Sequence, residues 1–153
     1  MEYKGCNQAR SGWQIDQACE RVLSELACDF VGLALQNNDG PDVRWHYAAG
    51  NSNEKYKRIS VRYGKGIAGK VISTSRPMSL DNFPHNIPGK ALEYPIMLAE
   101  NLLYAYAVPI HFKGIPKGVL LIGKRTKQPI SEFEQGLVRE AARRLEEKMN
   151  SLI

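Results

Sequence analysis

The stretch YGKGIAGKV, from Tyr63 to Val71, carries the most information about the fold of this chain. Gly64 and Gly66 precede a predicted helix start, and Gly69 lies one turn inside that helix. Glycine permits a positive φ and a close approach by another group, and a helix N-terminus leaves backbone N–H groups without intrahelical acceptors. Together with the helix dipole, these donors predict a site for a small anion. The alternative is a tight turn that only packs the helix against a sheet.

Length and composition are typical of a single globular domain. The chain has 153 residues, of which 43% are hydrophobic and 24% are charged, and it is long enough to bury a core. It contains no apolar run that approaches the roughly 20 residues needed to span a bilayer, and its N-terminus lacks the apolar core of a secretory signal. We therefore expect a cytoplasmic protein with no membrane partner, an N-terminal extension at residues 1–11 and one domain at residues 12–153.

The cysteines do not indicate a metal centre. Cys6, Cys19 and Cys28 lack the spacing of a metal site, so we expect neither zinc nor iron–sulfur chemistry. Cys19 falls on the apolar face of a predicted helix, which favours a buried structural thiol. Because neither an acid–base pair nor a nucleophile–base pair emerges from the sequence, we expect no catalysis.

Positive charge is concentrated in residues 51–76. The net charge of the whole chain is +5, and this segment carries seven basic residues against the single acid Glu54. It has no recognisable nucleic-acid-binding motif, so we interpret it as a rim that attracts an anion or as a solvated face. Within it, Lys65 and Lys70 are expected to be exposed. The seven basic residues are Lys55, Lys57, Arg58, Arg62, Lys65, Lys70 and Arg76.

Hydrophobic periodicity predicts a helix towards each end of the chain. A capping-box pattern at Ser11 and Gln14 predicts a helix over about residues 12–27. A second pattern, at Ser131 and Glu134, predicts a helix that ends near Ser151. Between them, short apolar runs predict two antiparallel hairpins. The strands are placed at residues 30–35, 43–49, 102–110 and 117–123, and alternation puts Val43, Trp45, Tyr47 and Ala49 on one face.

A long crossover joins the two hairpins. Residues 51–100 are broken by several glycines and prolines, and an irregular connection of this length is usually functional or disordered. Its many apolar residues argue against disorder. We therefore predict an α+β fold, in which an antiparallel sheet carries the N- and C-terminal helices on one face and a pocket-capping crossover on the other.

Two segments resemble the GAF domain family. YGKGIAGKVISTSRPMSL, residues 63–80, resembles the family's glycine turn, helix and short strand, and YAVPIHFKGIPKGVLLIG, residues 106–123, resembles its paired late strands. The resemblance covers about residues 12–150 and implies a GAF-like fold. Because GAF domains are mostly ligand-sensing modules, the family alone does not name the ligand.

Within that family, the chain is similar to the single-domain cytoplasmic nitrate-receptor GAF proteins. The similarity rests on Trp45 in the second strand, on Ile67-Ala68 in the glycine turn and on EYPIM at residues 93–97. It implies nitrate as the bound ligand, no cofactor, and a sensor histidine kinase of an oxygen-responsive two-component system as the partner. Backbone N–H groups of Ile67, Ala68 and Ile96 would hold the anion. The ligand-binding residues implied are Trp45, Ile67, Ala68, Tyr94, Pro95, Ile96 and Met97.

Several alternatives stay open at this point. Some GAF proteins of similar size reduce free methionine sulfoxide with pocket cysteines, but residues 29–153 contain none. Another small ligand on the same fold is a further possibility; for haem, His85 is the only pocket-edge candidate. Trp45 is equally well read as a plain core aromatic. The terminal helices are suited either to covering their own sheet or to forming a homodimer.

Overall fold

The computed structural model describes residues 2–38 and 40–152, and these form four α-helices, six strands and two short 3₁₀-helices, Lys55–Arg58 and Ala91–Glu93. None of the helices described is long and apolar enough to cross a membrane. The elements in chain order are α1 (Glu2–Glu25), β1 (Phe30–Gln36), β2 (Val43–Ala49), β3 (Ser60–Val61), α2 (Gly66–Thr74), β4 (Met78–Leu80), α3 (Pro95–Ala99), β5 (Tyr104–Phe112), β6 (Ile115–Lys124) and α4 (Glu132–Leu152).

The six strands form one antiparallel sheet in the order β3-β2-β1-β6-β5-β4. The two predicted hairpins, β1–β2 and β5–β6, lie side by side because β1 pairs with β6. The crossover contributes a short strand to each edge of the sheet, β3 beside β2 and β4 beside β5. Residues 51–100 are therefore anchored at both edges and pass across one face.

Two apolar layers cover the two faces of the sheet. The helix layer contains buried residues of α1 and α4, packed on strand residues such as Leu33 and Leu120. The crossover layer contains residues of α2 and α3, packed on the next residues along the same strands, such as Ala34 and Leu121. Alternate residues of a strand point to opposite faces, so each strand serves both layers. The predicted α+β architecture is confirmed.

A bulge in β2 reverses its side-chain alternation. The pairing of β1 with β2 shifts register so that His46 is an extra residue in β2, and one extra residue moves the later residues of the strand to the opposite face. Val43 and Trp45 lie in the crossover layer, whereas Ala49 is buried in the helix layer and Tyr47 packs against it. The prediction that these four residues share a face is therefore wrong.

Helix α1 begins earlier than the sequence pattern predicts. It runs unbroken from Glu2 to Glu25, so the predicted start at Gly12, with Ser11 as its cap, is wrong. Residues three apart lie on one face of a helix, and a Ser-x-x-Gln pattern therefore also fits a helix interior. The division of the chain into an extension at residues 1–11 and a domain at residues 12–153 stays a prediction.

Arg125, next to the end of β6, fastens both ends of the crossover. Its guanidinium donates hydrogen bonds to the carbonyl oxygens of Gly50 (3.1 Å) and Glu100 (2.8 Å), and to the Glu100 carboxylate. The backbone N–H and hydroxyl of Ser52 donate to the same carboxylate, at 2.8 and 3.1 Å. The Glu100 side chain is fully buried. Because Arg125 contacts both Gly50 and Glu100, it holds the two ends of the crossover close together.

Candidate functional site

The glycine turn ends at an N-terminus of α2 that no side chain caps. Lys65 is extended, and Gly66 has a φ of +63°, which glycine adopts without strain. The N–H groups of the first helical turn have no intrahelical acceptor, and at this end they include those of Ile67 and Ala68, both buried. This is the arrangement that the sequence predicted for binding a small anion.

Trp45 lies in the same buried layer as this helix end. Its side chain is 2% exposed and packs on β1 at Gly32, where an added Cβ would lie 3.0 Å from two carbons of the indole ring. Gly32 therefore lets the ring lie close to the sheet. The indole brings an apolar wall together with one N–H donor. The alternative of a core aromatic is compatible with the same burial.

Tyr94, just before α3, belongs to the same buried layer as Trp45 and Ile67. Its side chain is fully buried, and its ring meets Phe83 edge-on at 6.3 Å between centroids. The Tyr94 hydroxyl donates to the carbonyl oxygen of Pro88 (2.6 Å) and accepts a hydrogen bond from Nζ of Lys70 (2.9 Å). Lys65 is exposed, as expected, but Lys70 is half-buried. The expectation that Lys70 is exposed is therefore wrong.

The remaining predicted residues begin α3. Ile96 and Met97 are buried in the crossover layer, and Pro95, the first residue of the helix, is half-buried. An added Cβ on Gly66 would lie 3.4 Å from the carbonyl oxygen of Glu93, so the starts of α2 and α3 are close neighbours. Six of the seven predicted residues thus share one apolar layer, whereas the seventh, Pro95, is not among its members.

Two cavities lie away from this layer. One, of about 100 Å³, is a groove between α1 and α4, lined by residues such as Arg21 and Arg144. The other, of about 300 Å³, lies where α4 meets β5, near His111 and Arg139. Neither is lined by the predicted ligand-binding residues. The helix-end donors and the buried side chains around them therefore lie outside both cavities.

The two described cysteines lie on the opposite side of the sheet from the candidate site. Cys19 is fully buried in the helix layer, and Cys28 packs against that layer. Burial, with nearby Asp16, raises the pKa of the Cys19 thiol to about 12, and burial raises the pKa of Cys28 to about 11. A nucleophilic cysteine needs a lowered pKa, so neither thiol has the required environment. Cys6 lies outside the residues whose side chains are described.

Metal binding is not indicated either. The described residues contain no group of three or more His, Cys, Asp or Glu side chains that could hold a metal ion. His85, the candidate haem ligand, is exposed in the loop after β4.

The family model of the GAF domain matches residues 14–148 of the chain. The chain belongs to the GAF domain family. It is similar to two structures of NreA mutated in its nitrate-binding site, from Staphylococcus aureus. One is 30% identical, with a TM-score of 0.74, and covers 83% of this chain and 97% of that one. The other is 32% identical, with a TM-score of 0.72, over 78% and 88%.

A more distant likeness shows the fold alone. The type II free methionine-R-sulfoxide reductase from Thermoplasma acidophilum has a TM-score of 0.75 at 14% identity, over 96% of this GAF chain and 97% of its own. No curated protein sequence matches the chain.

The sequence analysis missed several residues that lie next to the predicted ligand-binding residues or hold their segments in place. The sequence suggested a solvent-exposed Lys70, and it predicted neither the role of Gly32 nor the pairing of Glu100 with Arg125. The glycine in the apolar run FVGLAL, residues 30–35, was the one available signal, since a glycine inside a strand marks a close approach. The other contacts join residues far apart in the chain and depend on the fold.

Proposed function

We propose that this GAF domain is a receptor for a small planar anion, nitrate, bound between the sheet and the crossover. The observation that carries the proposal is the uncapped N-terminus of α2, which is buried at Ile67 and Ala68 in the layer that also holds Trp45 and Ile96. The similarity to NreA at 30–32% identity supports the choice of ligand.

The chemistry of nitrate suits such a site. A buried charge without partners costs several kcal/mol or more, so the site must offer fixed donors. Backbone N–H groups at a helix end supply both donors and partial positive charge, and a singly charged anion does not require a full counter-charge beside it. Exposed basic residues of the crossover, such as Arg58 and Arg62, attract anions from solution.

The receptor would act on a sensor histidine kinase in the cytoplasm, with no cofactor. A ligand shifts a conformational equilibrium only by its difference in affinity for the two states. The two states would be an open and a closed crossover, and the anion would bind the closed one more tightly. Closure would change the surface that residues 81–98 present to the kinase. A homodimer formed through α1 and α4 is a compatible assembly.

A methionine sulfoxide reductase is the second candidate because its fold matches over nearly the whole chain. Reduction needs a reactive thiolate near the substrate. Cys19 and Cys28 instead lie across the sheet from the candidate site, and both thiols have raised pKa values. Thiol-dependent turnover of free methionine sulfoxide would overturn the receptor proposal.

The test is calorimetric titration with nitrate, with nitrite and chloride as controls. We expect saturable binding that is strongest for nitrate. At about one hundred times the dissociation constant, a ligand stabilises the fold by about 2.7 kcal/mol, so nitrate should also raise the melting temperature by about 5–10 °C. No heat and no thermal shift would exclude nitrate.

A matched pair of variants tests the position of the site. Trp45→Phe removes the indole N–H and part of the wall, and we expect it to weaken nitrate binding about tenfold or more. Tyr47→Phe is the control because the bulge places it against the other layer; its nitrate affinity should be unchanged. Equal affinities in the two variants would remove Trp45 from the site.

A further inference from the structure

Lys70 and Tyr94 connect α2 to the loop that covers it. Nζ of Lys70 donates to the Tyr94 hydroxyl at 2.9 Å, and that hydroxyl donates to the carbonyl oxygen of Pro88 at 2.6 Å. The Tyr94 hydroxyl thus joins Lys70 of α2 to Pro88, which lies six residues before Tyr94. We call these three residues the latch.

The position of Lys70 suits this role. It lies one turn after Ile67 on α2, and residues three apart share a face of a helix. Its ammonium is also 5.2 Å from the centroid of the Tyr94 ring, because it lies beyond the hydroxyl that it contacts. Within the described part of the chain, Lys70 forms no ion pair with a carboxylate.

The latch also uses the polar group of Tyr94. A tyrosine hydroxyl has one proton to donate, and here it is donated to Pro88. The hydroxyl therefore has no second proton for an anion, and the ring alone is available as a wall. The role of Tyr94 is then to hold Pro88 and α3 against α2.

We propose that Lys70 is a positioning residue that, through the Tyr94 hydroxyl, holds residues 88–94 closed over the anion site and slows the release of the anion. The proposal rests on the anion-receptor function proposed above. It makes closure depend on one charge-assisted hydrogen bond, which is stronger than a bond between neutral groups. Release of the anion then requires that this bond open.

The kinetic test uses stopped-flow fluorescence to measure nitrate association and dissociation rates in the full chain. The variants are Lys70→Met, Tyr94→Phe and the double variant, with Lys65→Met as the control. Lys65 precedes the same helix but is exposed. Tyr94→Phe should raise the dissociation rate about tenfold with little effect on association.

Lys70→Met should raise the dissociation rate similarly and also slow association, because it removes a positive charge. The double variant should dissociate no faster than Tyr94→Phe alone, since Tyr94→Phe already removes the bond from Lys70 together with the bond to Pro88. Lys65→Met should slow association only. Unchanged dissociation rates in both single variants, or additive effects in the double variant, would overturn the latch.

Hydrogen exchange without nitrate separates the latch from the receptor function. The N–H groups of Glu93 and Tyr94 bond to Lys90 and Ala91 within this loop. Tyr94→Phe and Lys70→Met should each speed their exchange about tenfold, whereas Lys65→Met should not. If the native chain fails to bind nitrate but these amides respond, the receptor proposal and the effect on anion release fail, whereas the contact that holds residues 88–94 closed stands. If nitrate binds and neither rate nor exchange responds, the latch alone is wrong.

Discussion

At Gly69, the backbone of α2 lies against the turn that precedes it. The N–H of Gly64 donates to the Gly69 carbonyl at 3.0 Å, and an added Cβ on Gly69 would overlap the carbonyl oxygen of Arg62. Backbone atoms cannot rotate away as a side chain does. The third glycine of the quoted stretch is thus required by contact, whereas Gly66 is required by its positive φ.

We therefore predict opposite effects for two glycine-to-alanine substitutions in helices. Gly69→Ala should lower the free energy of unfolding by about 2 kcal/mol or more, because the helix must shift from the turn. Gly136→Ala in α4 has an open neighbourhood, with Arg139 Nη2 nearest at 3.7 Å, and should raise it by about 0.5–1 kcal/mol. Urea unfolding measures both. A stabilised Gly69→Ala variant would contradict the close approach.

At this scale, the sequence predicts residue types better than contacts. The glycine spacing and the residues around Ile67 and Tyr94 are identifiable because their local pattern is distinctive. The orientation of Tyr47 is not, because the bulge at His46 depends on the register with β1. Lys70 looks like any surface lysine in the sequence, and its partner is 24 residues away in the chain.

Among the elements, α4 begins with the capping box that the sequence predicts. The Glu134 backbone N–H donates to Oγ of Ser131 at 3.1 Å, and the Ser131 N–H donates to Oε1 of Glu134 at 2.9 Å. The same carboxylate accepts from Nζ of Lys124, a buried lysine at the end of β6, at 3.0 Å. The cap therefore also neutralises a buried charge, which the sequence pattern does not reveal.

This arrangement predicts a pH-dependent effect of Glu134→Gln. Burial alone would raise the pKa of Glu134, but the Ser131 N–H and Lys124 lower it overall. The unfolded chain then binds the proton more readily, so the contribution to stability is present at neutral pH and is lost as the pH falls through the folded pKa. Glu134→Gln should cost about 1–3 kcal/mol at pH 7 and progressively less below about pH 4.

Urea unfolding at several pH values measures this difference, and Glu132→Gln is the control. Glu132 lies in the same helical turn, so it feels the same dipole, but its side chain is exposed. Its substitution should have a smaller effect. A cost for Glu134→Gln that does not change with pH would show that the loss of the cap geometry, and not the charge, is responsible.

For the molecule as a whole, the base of the crossover decides how the candidate site is held. Arg125 contacts Gly50 and Glu100, where the crossover begins and ends, and its Nη1 donates to the carbonyl oxygen of Asp29 at 3.2 Å. α3, which carries Ile96, ends next to Glu100. Arg125, which lies outside the candidate site, thus helps to fix the position of α3 and of Ile96.

We predict that Arg125→Met destabilises the whole domain. It leaves the fully buried Glu100 carboxylate without its cation, and breaking a buried ion pair from one side costs about 3–5 kcal/mol. Arg143→Met is the matched control, since Arg143 pairs with Glu140 and Glu147 on the exposed face of α4, and solvent screening makes such exposed pairs contribute little to stability. Urea unfolding compares the two variants.

Adding Glu100→Gln to Arg125→Met should recover part of the lost stability, because the uncompensated charge is removed. If Arg125→Met costs no more than Arg143→Met, the crossover is held by its apolar contacts alone, and the site does not depend on its base.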